Sequence, residues 1–184
     1  PGGTVPVLDL VPGVGGSAPT RLVAFGSNLV FYANDGVHGL EPWLSDGSAA
    51  GTGMIDDFNP GATDSVDAGY GFGPRVVGGA LYLSIDDGAT GFDPWVSDGT
   101  APGSSRLADL AVGQGDGRLP SYESATSAVA DGGSESVSLA NWGVFAGFEP
   151  ATGWELWRTD GTPAGTTLLA DIHPGTPSSS PQRL

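Results

Sequence analysis

Short apolar runs separated by turn residues are the dominant pattern along the chain. The first four runs are 22–25, 29–33, 41–44 and 53–58. Runs of this length bounded by glycine, asparagine and aspartate are typical of β-strands, and Asp46-Gly47 tolerates the positive φ angles of a tight hairpin. No stretch sustains a period of 3.6 residues with good helix formers, so the pattern predicts an all-β chain.

The same four-run pattern occurs three times. Its markers are a tryptophan (Trp43, Trp95, Trp157), an Asp-Gly-Ser/Thr turn (Asp46, Asp98, Asp160) and a later aspartate before an apolar residue (Asp9, Asp57, Asp109, Asp171). The fourth run of each copy is predicted at 53–58, 105–110 and 166–172. We divide one repeat domain, 1–184, into units of about 1–50, 51–102 and 103–164, a partial unit 165–184, and insertions 61–74 and 113–136.

Four sequential antiparallel strands per repeat of about 50 residues indicate a β-propeller-like array of four-stranded blades, with a stacked β-solenoid as the alternative. One blade cannot bury both of its faces, so we expect the tryptophans in the joints between blades. Closed propellers have about four to eight blades. We therefore expect the open blade edges to be covered by further units of a larger assembly, by another protein or by copies of the chain itself.

The third copy, "GWELWRTDGTPAGT", resembles the ELWxxDGT repeat family of bacterial surface and secreted proteins. The other two copies, "GLEPWLSDGSAAGT" and "GFDPWVSDGTAPGS", have Pro42 and Pro94 where the third has Leu156. The resemblance covers nearly the whole chain except the insertions. It implies a β-rich repeat protein that is extracellular, at the cell surface or periplasmic, and it supplies no catalytic residues.

Composition narrows the possible partners. The formal net charge is −15, from 21 acidic residues and six arginines, which disfavours nucleic acids and anionic membrane surfaces. The absence of cysteine excludes disulfides and thiolate sites. No apolar run approaches the roughly 20 residues that span a bilayer, so we expect no membrane insertion. The charge suits a cation or a basic partner, and it also suits simple solubility.

A pair of acidic residues six positions apart flanks the loop between the second and third strands of each copy. The pairs are Asp35 and Glu41, Asp87 and Asp93, and Glu149 and Glu155. Oxygen-rich loops of this kind could bind Ca²⁺, although no cofactor is required by the pattern. The alternative interpretation is that these carboxylates accept backbone hydrogen bonds in tight turns. For Asp46, Asp98 and Asp160 we expect that second, structural role.

Four aromatic residues lie outside the repeated pattern. Tyr70, Phe72 and Tyr122 lie in the insertions, and Trp142 lies at the turn between the first two strands of the third copy. They are candidate contacts for a protein partner or a glycan. The alternative is that the insertion aromatics fold back over the blade edges.

The sequence predicts no enzyme. Its two histidines, His38 and His173, are not accompanied by a G-x-S-x-G motif. Carboxylate pairs can cleave glycosides, but no pair stands out from the repeated set. We expect a non-enzymatic structural or protein-interaction module. The alternative is a lectin-like or adhesin module that binds glycan, with or without Ca²⁺.

Overall fold

The part of the chain that the structure describes forms three antiparallel sheets of four strands each. The computed structural model describes residues 3–67, 73–110, 136–139 and 142–179, with the backbone alone for 136–139, Trp142 and Ala146. Sheet 1 contains β1 (Thr20–Phe25), β2 (Asn28–Asn34), β3 (Leu40–Ser45) and β4 (Thr52–Met54). Sheet 2 contains β5 (Arg75–Val77), β6 (Ala80–Asp86), β7 (Phe92–Ser97) and β8 (Ser105–Arg106). Sheet 3 contains β9 (Ser136–Leu139), β10 (Trp142–Glu149), β11 (Gly153–Thr159) and β12 (Thr167–Ala170).

Each sheet is a simple meander in which sequential strands are hydrogen-bonded neighbours. The register is equivalent in the three copies, because the repeated tryptophan pairs with the residue three positions after the second strand begins. Those pairs are Phe31 with Trp43, Leu83 with Trp95 and Phe145 with Trp157. The prediction of an all-β chain with four antiparallel strands per copy is therefore confirmed. None of the described residues forms a helix, so they include none that could cross a membrane.

The sheets begin and end at other points than the predicted units. Boundaries at 50, 102 and 164 separate β4, β8 and β12 from the sheets to which they are bonded. A sequence period fixes the length of a repeat but leaves its starting point open. The predicted unit boundaries lie inside the turn that precedes the fourth strand of each sheet. The insertions 61–74 and 113–136 belong to the connections that follow β4 and β8.

The fourth strands are shorter than the predicted runs, by three residues in sheets 1 and 3 and by four in sheet 2. β4 ends opposite Trp43 and β8 ends opposite Trp95, one position before the paired strand reaches Pro42 and Pro94. Ile55 and Leu107 still donate their N–H groups to the proline carbonyls at 2.9 and 2.8 Å, but proline has no N–H to return. In sheet 3, Leu156 takes the proline's place and pairs with Ala170, so β12 is longer.

Sheets 1 and 2 pack face to face through an apolar seam. β2 contributes Val30 and Tyr32, and β6 contributes Leu81, Leu83 and Ile85, all of which are nearly or fully buried. Alternation along each strand presents these residues to the seam, because every second side chain points to the same face. Trp95 lies at its margin, where its ring meets Phe58 edge-on at a centroid distance of 5.4 Å. Phe58 belongs to the connection that leaves sheet 1.

Sheet 3 packs on sheet 2 in the same way. Trp157 and Phe145 stack with ring centroids 6.5 Å apart, and Leu110, from the connection that leaves sheet 2, completes their buried cluster. Gly147 permits this arrangement, because a β-carbon there would lie 2.7 Å from the Trp157 ring. Trp43 occupies the equivalent position on sheet 1, where it packs with Phe31 and Ala33 and is covered by Leu10.

The two faces of β11 differ in exposure. Gly153, Glu155, Trp157 and Thr159 face sheet 2 and are buried. Trp154 and Leu156 on the opposite face are half-buried, and Arg158 beside them is exposed. Leu169 and Ile172 extend this apolar outer face and are 47% and 58% exposed. Among the described residues, no fourth sheet covers it.

The two tryptophans of β11 provide a direct test of the seam. Trp157→Ala is expected to lower the free energy of unfolding by about 3–5 kcal/mol, because it removes a buried ring from the joint with sheet 2. Trp154→Ala is the comparison on the outer face, where the half-buried ring meets Phe148 at a centroid distance of 5.7 Å, and we expect a smaller loss of about 1–2 kcal/mol. Urea unfolding followed by circular dichroism measures both losses. Equal losses would contradict the assignment of Trp157 to a seam.

Candidate functional site

The Asp-Gly-Ser/Thr turns are closed hydrogen-bond networks that are repeated almost atom for atom. Asp98 Oδ1 accepts hydrogen bonds from the backbone N–H and the hydroxyl of Thr100 at 2.9 and 2.7 Å. The Thr100 hydroxyl oxygen then accepts the Gly103 N–H at 3.1 Å. A β-carbon at Gly103 would collide with the Asp98 carboxylate. Asp46 and Asp160 make the same bonds to Ser48 and Thr162.

Hydroxyl pairs join each turn to its strands. Ser97 and Ser104 share a hydrogen bond of 2.8 Å, and the Ser97 hydroxyl also accepts the Gly99 N–H. The equivalent pairs are Ser45 with Thr52 and Thr159 with Thr166, each at 2.6 Å. The hydrogen bonds from Thr100 and Ser48 lower the pKa of Asp98 and Asp46, because they favour the charged carboxylate. The polar side chains of the Asp-Gly-Ser/Thr motif therefore form hydrogen bonds within the turn itself.

In the loops between the second and third strands, an aspartate side chain accepts hydrogen bonds from backbone N–H groups of the same loop. Asp35 accepts the N–H groups of Val37 and His38 at 2.9 Å each, and its other oxygen lies 2.7 Å from His38 Nδ1. This contact raises the pKa of His38. Asp87 accepts the N–H groups of Ala89 and Thr90 at 3.0 Å. Both aspartates therefore act as turn acceptors.

The second acid of each pair has a different role. Glu41, Asp93 and Glu155 are fully buried, on the same face as the repeated tryptophans. Each accepts the N–H of an apolar residue 17 positions later, which follows one of the repeated aspartates. The bonds are Phe58 to Glu41 at 3.3 Å, Leu110 to Asp93 at 2.8 Å and Ile172 to Glu155 at 3.0 Å. The carboxylate thus ties the outgoing connection to its own sheet.

Two of these ties are reinforced by a serine seven residues further on. The Ser65 hydroxyl donates to Glu41 at 2.5 Å. Ser179 donates to Glu155 through its hydroxyl at 2.7 Å and through its backbone N–H at 2.9 Å. Residues 58–65 and 172–179 read FNPGATDS and IHPGTPSS, and residues 10–17 read LVPGVGGS. We call these three stretches connecting segments.

Sheet 2 reinforces its tie with a cation. Arg106 Nη1 lies 3.3 Å from Asp93, 3.6 Å from Asp87 and 3.9 Å from Asp109, and it donates to the Thr90 hydroxyl at 2.6 Å. The residues opposite Trp43 and Trp157 in the other sheets are Met54 and Leu168. The guanidinium is therefore particular to sheet 2, where it partly neutralises three carboxylates.

The buried acids differ in the direction of their pKa shifts. Burial raises the pKa of Glu41 to about 7 and that of Asp93 to about 6, in spite of the hydrogen bonds that they accept. Burial also acts to raise the pKa of Glu155, but the bonds from Ser179 and Ile172 outweigh it and the pKa is lowered. The buried Oε1 of Glu41 has no hydrogen-bond partner among the described residues, which agrees with its weaker hold on the charged form.

Of the three candidate acid pairs, Asp87 and Asp93 share contacts, with the Thr90 hydroxyl and with Arg106. No group of three or more Asp, Glu or His side chains in the described part of the chain is arranged to hold a metal ion. Glu149 lies at the end of β10, half-buried. Tyr70, Phe72 and Tyr122 lie outside the described residues, and Trp142 is placed by its backbone at the start of β10. Calcium binding and partner contacts at these residues stay predictions.

Comparison with known proteins gives no further guidance. No family model, no curated protein and no solved structure matches the chain.

Glu41→Gln tests the charge state of a buried tie. Because the folded pKa of about 7 lies above the ordinary 4.5, the folded chain holds a proton that the unfolded chain releases. The free energy of unfolding therefore falls as pH rises from 4.5 to about 7, by roughly 2–3 kcal/mol. Glutamine cannot titrate, so this fall should disappear, apart from a smaller one from Asp93 between 3.8 and about 6. Urea unfolding at about pH 5 and about pH 7.5 measures it.

Glu155→Gln is the matched control. Its carboxylate has a lowered pKa, so it stabilises the fold above the ordinary value of 4.5 and that stability is lost as pH falls. Glu155→Gln should therefore be destabilised at neutral pH, where Glu41→Gln is not. Equal destabilisation of both variants at about pH 7.5 would contradict the opposite shifts.

Proposed function

We propose that the chain is a non-enzymatic structural module, a length of propeller-like blade array that stacks sideways on further protein. The observation that carries this proposal is the use of the repeated polar residues. Asp46, Asp98 and Asp160 form turns, while Glu41, Asp93 and Glu155 fix the connections that leave their sheets, and the first two of these connections pack on the next sheet. Because these repeated carboxylates bind the chain's own backbone, their common role supports a structural module built of repeated sheets.

The exposed outer face of sheet 3 supports the interaction part of the proposal. Its half-buried and exposed apolar residues continue the pattern that is buried in both internal seams. Exposed apolar patches of this kind mark interaction sites in soluble proteins. The resemblance to ELWxxDGT repeats supports an exported or surface location for the module.

Duplicating one repeat tests whether the sheets are interchangeable blades. Trp43 and Trp95 are 52 positions apart, and residues 55–106 are one such period. A second copy of 55–106 inserted after Arg106 should fold as an additional sheet. Because each internal blade adds a seam, the melting temperature should rise by at least about 5 °C, with unchanged strand content per residue by circular dichroism.

The control is the insertion of residues 55–80, about half a period, at the same point. This half-repeat contains neither the buried acid nor the tryptophan of sheet 2, so it cannot complete a sheet and should lower the melting temperature. A duplicated chain that is less stable than the original would contradict the blade array. Hydrolysis of a glycoside or ester that is lost on substitution of one carboxylate would contradict the non-enzymatic role.

A further inference from the structure

The connecting segment 58–65 shows how two neighbouring sheets are joined. Behind it, the Phe58 N–H and the Ser65 hydroxyl are bonded to Glu41 of sheet 1. In front of it, the Phe58 ring packs on Trp95 of sheet 2, and the Ser65 carbonyl accepts the N–H of Asp86 at 2.9 Å. A complete joint therefore has two parts. A buried carboxylate of the preceding sheet binds the segment (the tie), and the segment packs on the tryptophan of the following sheet.

The segment 10–17 makes only the front half of this joint. Leu10 packs on the cluster that contains Trp43, as Phe58 packs on Trp95. The Ser17 carbonyl accepts the N–H of Asn34 at 3.0 Å, the equivalent of the bond from Asp86 to Ser65. Among the described residues, no carboxylate accepts a hydrogen bond from the Leu10 amide. This segment rests on a tryptophan face without a tie to a sheet behind it.

The segment 172–179 makes only the rear half. Glu155 accepts hydrogen bonds from Ile172 and from Ser179, so the segment is held to sheet 3. The Ile172 side chain, which corresponds to Leu10 and Phe58, is 58% exposed. In the described part of the chain, no tryptophan faces it. Segment 172–179 is therefore bound to its own sheet but packs on no tryptophan of a following sheet among the described residues.

We propose that two copies of the chain associate head to tail, with segment 172–179 of one copy replacing segment 10–17 on the Trp43 face of the other. Ile172 then packs on Trp43, and the Ser179 carbonyl accepts the Asn34 N–H. The outer face of sheet 3 covers the front of sheet 1. This inference rests on the proposed function and names its partner as a second copy.

The exchange is favourable because it substitutes like for like. The bonds and contacts of Leu10 and Ser17 are replaced by equivalent ones from a segment that is already ordered by its tie. The additional gain is burial of the outer face of sheet 3, which includes Trp154, Leu156 and Leu169. Such an interface is heterologous, so it leaves a free end of each kind and extends to longer assemblies or a ring.

The charge pattern at the joint fits this partner. In the seam between sheets 1 and 2, Leu44 lies against the turn glycine Gly99, 3.1 Å from its β-carbon position. In sheet 3 the residue after the tryptophan is Arg158, and the turn glycine of sheet 1 is Gly47, which has open space around it. Arg158 of one copy would therefore lie beside Gly47 and the carboxylate of Asp46 in the second copy. This attraction partly offsets the repulsion between chains of net charge −15.

Sedimentation velocity over a concentration series tests the exchange, in about 0.3 M NaCl to screen the net charge. Leu10→Asp weakens the hold of segment 10–17 and should lower the dissociation constant for self-association at least about tenfold. Adding Ile172→Asp to this variant should raise the constant at least about a hundredfold. Ala89→Asp is the matched control, since it adds the same charge at an exposed residue of the β6–β7 loop, in sheet 2, which takes no part in the proposed contact. It should leave the constant within about twofold.

Three results would overturn the proposal. They are a monomeric Leu10→Asp chain at every concentration, association that Ile172→Asp leaves unchanged, and association that Ala89→Asp abolishes equally. The last two indicate a different contact, such as two outer faces packed back to back. Circular dichroism of the double variant checks folding, and Leu10→Ala gives the same order of constants if Leu10→Asp fails to fold. The duplicated repeat tests the blade array separately, because it measures stability within one chain.

Discussion

The hydrogen bond between a buried carboxylate and a backbone amide 17 residues later is the interaction on which the stack of sheets depends. Glu41, Asp93 and Glu155 each fix the amide of the apolar residue that their outgoing connection carries. For Phe58 and Leu110, that residue then packs against the tryptophan cluster of the next sheet. A long connection has much conformational freedom, and a bond to a charged group, about 1.5–3 kcal/mol, restrains it where the seam needs it.

The three ties hold different amounts of charge because they have different donors. Glu155 receives three hydrogen bonds from Ile172 and Ser179, which is enough to keep its pKa low. Asp93 has an arginine nearby but is fully buried, and its pKa is raised. Glu41 has an oxygen without a partner and has the highest pKa of the three. The three sheets therefore share one hydrogen-bond geometry, although the pKa of the buried acid differs from sheet to sheet.

The local half of the motif could be predicted from sequence, and the non-local half could not. The Asp-Gly-Ser/Thr turns bond residues within five positions of each other, so turn chemistry alone indicates them. The buried acids bond a backbone amide, and every residue type except proline has such a group, so sequence gives no sign of the acceptor's partner. Asp35 accepts backbone hydrogen bonds within its own loop and Glu41 accepts one from Phe58, while calcium binding by this pair stays a prediction. Pro-Gly and a serine recur in segments 58–65 and 172–179, but the equivalent residues 110–117 have neither, so this spacing does not identify the tie to Asp93.

Proline also explains where the pattern of apolar runs overestimates strand length. Hydrophobic periodicity continues through Ile55 and Phe58, yet the ladder stops at the missing N–H of Pro42. An apolar run thus indicates which residues are buried and leaves open whether a strand partner can bond them. Ile55 and Phe58 are buried in the seam between two sheets rather than in a strand.

The residues that depart from the repeat are the ones that its architecture does not require. The turn aspartates bond equivalent residues in all three sheets, and each buried acid accepts the amide 17 residues later. Arg106 stands opposite a tryptophan where the other sheets have Met54 and Leu168, and Arg158 follows a tryptophan where they have Leu44 and Val96. Leu44 lies against Gly99 of the next sheet, whereas Arg158 is exposed on the outer face of sheet 3 and donates to the Thr167 hydroxyl at 3.2 Å. The charge of Arg158 is compatible with a face whose counterpart carries an aspartate, as the turn at Asp46 does.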